Sequence, residues 1–158
     1  MEPSLALPPC SVCGAVEFQH ADVIWPELAA QWGLSEAERG YIDVQQGTCC
    51  TSCGSNVRSM ALAEAILRYY QSPFTLKEWV RVPIARHLQV LEVNEAGSLS
   101  NVLRELPGHH LVSYPAYDMM ALDVGSGSYD VVVHSDTFEH VPDPLKGLRE
   151  CRRILRDG

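Results

Sequence analysis

The stretch YDVVVHSDTFEHVPDPLKGLRECRRILRDG (residues 129–158) indicates the fold class. Its valine run, residues 131–133, is typical of a strand buried on both faces of a parallel sheet. A polar loop comes next. A helix follows, predicted to begin with Asp143 as N-cap and Pro144 as its first residue. A strand, a loop and a helix in this order predict an open α/β sheet.

The predicted helix carries an apolar face and a terminating glycine. At helical spacing the face comprises Leu145, Leu148, Cys151, Ile154 and Leu155. Gly158 is predicted to follow the last helical turn. In open α/β sheets, ligands bind at the carboxyl ends of the strands. We therefore expect four polar residues of the loop at a functional site: Ser135, Asp136, Glu139 and His140.

Residues 129–158 resemble the fourth strand and following helix of class I S-adenosylmethionine-dependent methyltransferases of the type 11 group. The resemblance rests on an aromatic–Asp pair, an apolar strand, a Ser–Asp pair, Glu-His-Val and a helix opened by proline. It implies a Rossmann-like parallel sheet that binds S-adenosylmethionine. Because family members continue through further strands, we expect a partial sheet here. The chain is then either a piece of a longer protein or completed by another subunit.

Composition narrows the classes of partner. The formal net charge is −8, and residues 1–57 hold seven acids against the single base Arg39. Nucleic-acid binding normally requires a basic face, so a DNA or RNA partner, and with it an RNA methyltransferase, is disfavoured. We find no apolar run of membrane-spanning length and no signal-peptide pattern, which predicts a cytoplasmic protein with no membrane partner.

Two identical cysteine motifs predict a metal site. Cys10 and Cys13 form one C-x-x-C-G motif, and Cys50 and Cys53 form the other. Each spacing lets one tight turn aim two sulfurs at a single point, and two such turns supply the four thiolates that structural Zn²⁺ prefers. Disulfides are the main alternative, but no secretion signal supports them. Cys49 also has a tolerable ligand spacing; we prefer Cys50 because it reproduces the first motif.

Two helices are predicted between the cysteine motifs, PELAAQW from Pro26 and EAERGYIDVQQ after the Ser35–Glu38 capping box. We interpret the aromatic and branched residues of this region as the core of a small zinc-knuckle domain, the alternative being a substrate-recognition surface. They are Trp25, Trp32, Tyr41 and Ile42. The predicted domains are 1–57, the zinc-knuckle domain, and 58–158, the partial methyltransferase-like α/β domain.

The resemblance also implies cofactor-binding positions. After the apolar strand 88–93, the family carries an acidic residue and a glycine-rich loop. Glu92 matches the acid and Gly97 matches a glycine, whereas Asn94 and Ala96 stand where glycines are expected. Residues 117–130 resemble the segment that borders the cofactor. The resulting set of cofactor-binding residues is Glu92, Asn94, Gly97, Asp118, Met119 and Ser135.

The predicted function is methyl transfer from S-adenosylmethionine to a small molecule or glycan precursor, with a structural Zn²⁺. His140 is the candidate general base and Asp136 the candidate orienting acid, since both lie at the carboxyl end of a strand. The alternative is a non-catalytic zinc-dependent scaffold or interaction protein that retains a degenerate methyltransferase fold. The strand of residues 129–135 is expected to expose an unpaired edge, which predicts a homodimer through it.

Overall fold

A computed structural model describes residues 7–157, which fall into two compact units, Met1–Glu78 and Trp79–Gly158. Elements of the first unit are β1 (Phe18–His20), α1 (Pro26–Trp32), α2 (Glu36–Gly47), β2 (Thr48–Cys50) and α3 (Val57–Tyr69); α4 (Leu76–Trp79) lies at the division. Elements of the second unit are β3 (Val90–Val93), α5 (Ser100–Leu103), β4 (His109–Val112), β5 (Val131–His134) and α6 (Pro144–Ile154). Three short 3₁₀ helices lie at Ala85–His87, Gly97–Leu99 and Phe138–His140.

The first compact unit extends past residue 57 because α3 contacts α2. The division into a zinc-knuckle domain and a methyltransferase-like domain at that residue stays a prediction. Strands β1 and β2 pair antiparallel and set Phe18 opposite Cys50. The Asp43 side chain of α2 accepts hydrogen bonds from the backbone N–H groups of Val23 (2.7 Å) and Ile24 (2.8 Å). This carboxylate therefore fixes the segment that leads into α1.

The helix boundaries between the cysteine motifs were predicted correctly. Helix α1 begins at Pro26 and is followed by Gly33 in the left-handed conformation. Helix α2 begins with the expected capping box, in which Ser35 and Glu38 satisfy each other's backbone N–H groups. Asn56 caps α3 through a hydrogen bond from the backbone N–H of Ser59.

The prediction that the aromatic residues between the motifs form a core was wrong. Trp25 and Trp32 are each 58% exposed and Tyr41 is 69% exposed, while Ile42 is half-buried. The buried apolar residues of this unit come instead from the cysteine turns, from the segment before α1 and from α3 and α4. The buried set is Cys10, Val12, Ile24, Cys50, Met60, Ala63, Ile66, Leu67 and Leu76.

The second unit contains a three-stranded parallel sheet in the order β4–β3–β5. Strand β3 is central and fully buried, and its Glu92 lies opposite Leu111 of β4 and Val133 of β5. This confirms the expected partial Rossmann-like sheet. The core is built by residues of the sheet, of α6 and of the segment between β4 and β5: Leu91, Val93, Val112, Met119, Leu122, Tyr129, Cys151 and Ile154.

Helix α6 differs from its prediction in orientation and in length. Its N-cap is Asp143, as predicted, which accepts a hydrogen bond from the N–H of Lys146. Leu145 and Leu148, predicted on the buried face, are 63% and 50% exposed. Cys151 and Ile154 are buried as predicted, and Gly147, which was not predicted, is buried with them.

Close approach of the helix to the loop before it explains the difference in orientation. A Cβ on Gly147 would lie 2.9 Å from the Phe138 ring, so only glycine fits where the helix is nearest to that loop. The helix ends at Ile154, not beside Gly158, because Leu155 is extended and pairs with Tyr129. Gly158 itself lies outside the described residues.

Candidate functional site

Four cysteine thiols converge in the first unit. The Sγ atoms of Cys10, Cys13, Cys50 and Cys53 all lie within 4.8 Å of one another. The Cys10–Cys53 and Cys13–Cys50 pairs are each 3.6 Å apart. Zn–S bonds of about 2.3 Å in tetrahedral geometry place sulfurs about 3.8 Å apart, so the four thiols fit a zinc ion.

Each cysteine turn is closed by its glycine. Gly14 and Gly54 adopt φ values of 83° and 72°, a left-handed conformation that glycine adopts without steric cost. Their backbone N–H groups donate to the carbonyl oxygens of Cys10 (2.7 Å) and Cys50 (2.8 Å). Cys49 lies outside the cluster, with its thiol directed at the carbonyl oxygen of Gln46. The preference for Cys50 over Cys49 therefore agrees with the geometry of the cluster.

The four thiols differ in acidity. Burial raises the pKa of Cys10 to about 12, and burial also raises that of Cys13. Burial opposes ionisation of Cys53 too, but hydrogen bonds from Ser55 and from the neighbouring thiols outweigh it and lower its pKa to about 7. Zn²⁺ binds thiolates and displaces the protons of its ligands. Among Cys10, Cys13 and Cys53, it is therefore Cys53 that loses its proton most easily.

A cavity of about 530 Å³ opens in the second unit where the strands end. Its walls come from the end of β3, the segment after β4 and the segment between β5 and α6. The lining residues are Val93, Asn94, Tyr114, Tyr117, Asp118, Met119, Met120, Thr137, His140, Val141 and Pro142. The carboxyl ends of parallel strands are where ligands bind in such sheets, which makes this cavity the candidate cofactor and acceptor site.

The cavity brings together four of the predicted site residues: Asn94, Asp118, Met119 and His140. Asn94 adopts a left-handed conformation with φ of 54°, as its place in a glycine position requires. Asp118 is exposed and accepts the backbone N–H of Met120 at 2.8 Å. Met119 is 5% exposed and packs in the core as well as lining the cavity.

Four other predicted residues do not line this cavity. Glu92 is fully buried behind the loop, and Gly97 begins the 3₁₀ helix that follows it, with φ of 58°. The carbonyl oxygen of Ser135 accepts the Thr137 hydroxyl, and Asp136 is exposed with φ of 48°. Their assignment to cofactor binding and catalysis stays a prediction.

A histidine next to the predicted catalytic residues occupies a different environment. His134, the last residue of β5, packs edge-on against Phe138, with ring centroids 4.5 Å apart. Burial lowers the pKa of this imidazole, and the nearby charge of Glu139 opposes the shift. His134 is not among the residues that line the cavity.

Sequence reasoning missed the tyrosines of the cavity. Tyr114 and Tyr117 line it and remain exposed, and Thr137 lines it from the opposite segment. The available signal was position, since Tyr117 lies in the segment that resembles the border of the cofactor. It also missed His109 and Ser100, whose contacts with Glu92 require the folded sheet.

A family model and a solved structure are similar to this chain. A family model described as a methyltransferase domain matches residues 76–158. No curated protein matches the chain. One similar solved structure is described as a "SAM-dependent methyltransferase, possible histamine N-methyltransferase" from Thermotoga maritima, with 17% identity and a TM-score of 0.32. That likeness covers 62% of this chain and 57% of the other, so the chain spans less than two thirds of that protein.

None of the described helices is long and apolar enough to cross a bilayer.

Proposed function

We propose that this chain, which belongs to the methyltransferase-domain family, binds S-adenosylmethionine in the strand-end cavity and methylates a small molecule or glycan precursor. The observation that supports this most is the convergence of Asn94, Asp118, Met119 and His140 around one cavity of about 530 Å³. Cavities of 300–1,000 Å³ hold small molecules and cofactors. The left-handed conformation of Asn94 is one that glycine adopts readily, so the loop keeps a glycine-like backbone at this position.

The proposed roles follow from the position and chemistry of each side chain. The Asp118 carboxylate accepts hydrogen bonds from the cofactor, and Met119 supplies apolar contact in the same wall. When bound, S-adenosylmethionine supplies a methyl group activated by its sulfonium centre. His140 is exposed in the opposite wall and accepts the proton of the acceptor nucleophile. Asp136 lies four residues earlier and orients it. The main contribution of the protein is to align the two reactants.

We assign the four-cysteine cluster to a structural Zn²⁺ held by Cys10, Cys13, Cys50 and Cys53. A closed Cys₄ set leaves no coordination position for a substrate, so the metal stabilises the two turns and takes no part in the transfer.

A second candidate function is that of a zinc-dependent scaffold without catalysis. One observation favours it: Ala96 stands where the family has a glycine and is 1% exposed, so its side chain fills space within the cofactor loop. The two functions differ in whether the cavity binds S-adenosylmethionine.

Transfer of a labelled methyl group from S-adenosylmethionine tests the catalytic proposal. Pools of small-molecule and glycan-precursor acceptors are supplied separately, so that the labelled pool identifies the acceptor class. His140→Gln should reduce transfer by about 10²–10⁴-fold, the usual contribution of a general base, while cofactor affinity is retained. The matched control is His110→Gln, which changes an exposed histidine outside the cavity. Undiminished transfer by His140→Gln would refute the proposed base.

A further inference from the structure

We propose that His109 and Ser100 are positioning residues that hold the cofactor loop, residues 94–97, in its binding conformation through the buried carboxylate of Glu92. This inference rests on the proposed function, since the loop matters only if the cavity binds S-adenosylmethionine. Neither residue lines the cavity, so both act through Glu92 and the loop backbone.

The Glu92 carboxylate is buried and accepts hydrogen bonds from three groups. Glu92 is 0% exposed at the centre of β3. Its Oε1 accepts the backbone N–H of Ala96 at 2.7 Å and the hydroxyl of Ser100. Its Oε2 accepts Nε2–H of His109 at 2.7 Å. A buried carboxylate costs free energy unless such donors surround it, so these contacts define one position for the side chain.

The bond to Ala96 transmits that position to the loop. Ala96 lies two residues after Asn94, which lines the cavity. The carboxylate therefore fixes the middle of the loop from its buried side. His109 and Ser100 in turn fix the carboxylate: the His109 side chain is 5% exposed, and Ser100 is 3% exposed.

Strand β4 holds the same loop at its other end. The N–H of Asn94 donates to the carbonyl oxygen of Val112 (2.8 Å), and Asn94 Oδ1 accepts the N–H of Tyr114 (3.2 Å). His109 is the first residue of β4, and Val112 is the last. One strand thus anchors the loop twice, once through Glu92 and once directly, and it leads straight into Tyr114 and Tyr117 of the facing wall.

The need for these contacts follows from the composition of the loop. Asn94 pays a conformational cost at a φ of 54° that glycine would not incur. A loop in such a conformation persists only when its surroundings fix it. Loss of either donor should let the loop depart from the conformation in which Asn94 faces the cavity, without disrupting the sheet.

Hydrogen exchange at the Ala96 amide, measured together with S-adenosylmethionine affinity, tests the inference on the intact chain. In His109→Phe, the Ala96 amide should exchange at least tenfold faster, while the amides of Leu91 and Val93 keep their wild-type rates. Cofactor affinity should fall about tenfold, the effect of one lost hydrogen bond to a buried charged group. His109→Gln, whose amide nitrogen can replace Nε2–H, should restore most of both.

Ser100→Ala is the second variant, because it removes one donor with little change in volume and keeps the test informative if His109→Phe does not fold. We expect it to weaken binding about threefold and to speed Ala96 exchange alone. His110→Phe is the matched control on the same strand. Unchanged Ala96 exchange in both variants would refute the inference, and so would uniform acceleration of all amides, which would mean a general structural role. If the wild type binds no cofactor but the variants still speed exchange at Ala96 alone, the proposed function is overturned. His109 and Ser100 would then position the loop without any role in cofactor binding.

Discussion

The backbone N–H of Arg156 donates to the carbonyl oxygen of Tyr129 at 2.8 Å, and Leu155 pairs with Tyr129 in the parallel sense. The chain that leaves α6 therefore returns beside the residues that precede β5. Within the described residues, Val131–His134 itself pairs with β3 alone. The edge that was predicted to be unpaired for residues 129–135 is therefore paired at Tyr129, and it remains unpaired along β5.

We expect this edge to pair with that of a second copy, as unprotected strand edges do. Light scattering over a range of concentrations should then give a mass that approaches twice the 17.5 kDa of the chain. The exposed leucines of α6 are another surface through which a dimer could form. The double substitution Leu145→Glu with Leu148→Glu tests that surface, and the dimer should persist because it forms through the β5 edge. A monomer at every concentration would contradict pairing through the edge.

Asp130 should make the second unit more stable at neutral pH than in acid. Burial disfavours its charge, but hydrogen bonds from the Gln89 N–H (2.7 Å) and from Arg156 (2.7 Å) outweigh it and lower the pKa of this carboxyl. In the unfolded chain, an aspartate carboxyl has a pKa of about 3.9. A carboxyl whose pKa is lower in the folded state stabilises the folded protein at pH values above its unfolded-state pKa. This stabilisation is lost as the pH falls through the folded-state pKa.

Asp130→Asn should therefore reduce the free energy of unfolding at pH 7 by about 1–3 kcal/mol, as expected for lost hydrogen bonds to a charged group. Denaturant unfolding at several pH values measures this. The gap between variant and wild type should narrow as the pH drops below about 4. A gap of constant size between pH 7 and the acid range would show that the charge of Asp130 is not responsible.

The cysteine cluster should retain about one equivalent of zinc after purification without added metal, as a Cys₄ site requires. Cys50→Ser should lose the metal and the cooperative unfolding of the first unit. Cys49→Ser is the matched control, since its thiol lies outside the cluster, and Cys151→Ser is a second. Elemental analysis of all three variants gives the answer. Metal-free protein that unfolds as cooperatively as the wild type would exclude a structural role for zinc.

Local sequence signals predicted the parts of the fold that depend on near neighbours. The caps of α2 and α6 follow from spacing over a few residues, and so does the pairing of two thiols within each C-x-x-C-G motif. The orientation of α6 could not be predicted, because it depends on where Gly147 meets Phe138 in space. Apolar periodicity selected Leu145 and Leu148, which the close contact at Gly147 turns outward.

The candidate site was predicted in the same uneven way. Asn94, Asp118 and Met119 were identified from family positions and His140 from its place at the end of a strand, and all four line one cavity. The donors around Glu92 were not identified. His109 lies 17 residues away in sequence and meets the carboxylate only after β3 and β4 pair, and Ser100 lies 8 residues away, at the start of α5. Trp25, Trp32 and Tyr41 were placed in the core because sequence does not show whether short helices can enclose them.

The central claim is that the strand-end cavity binds S-adenosylmethionine, and calorimetry with the 158-residue chain tests it most directly. We predict a dissociation constant in the tens of micromolar, about 6 kcal/mol of binding free energy. Asp118→Asn should weaken it about tenfold, because a charged acceptor is replaced by a neutral one. Asp123→Asn, an exposed acid outside the cavity, should leave it unchanged. No heat of binding at saturating S-adenosylmethionine, or equal affinities for the wild type and Asp118→Asn, would contradict the account.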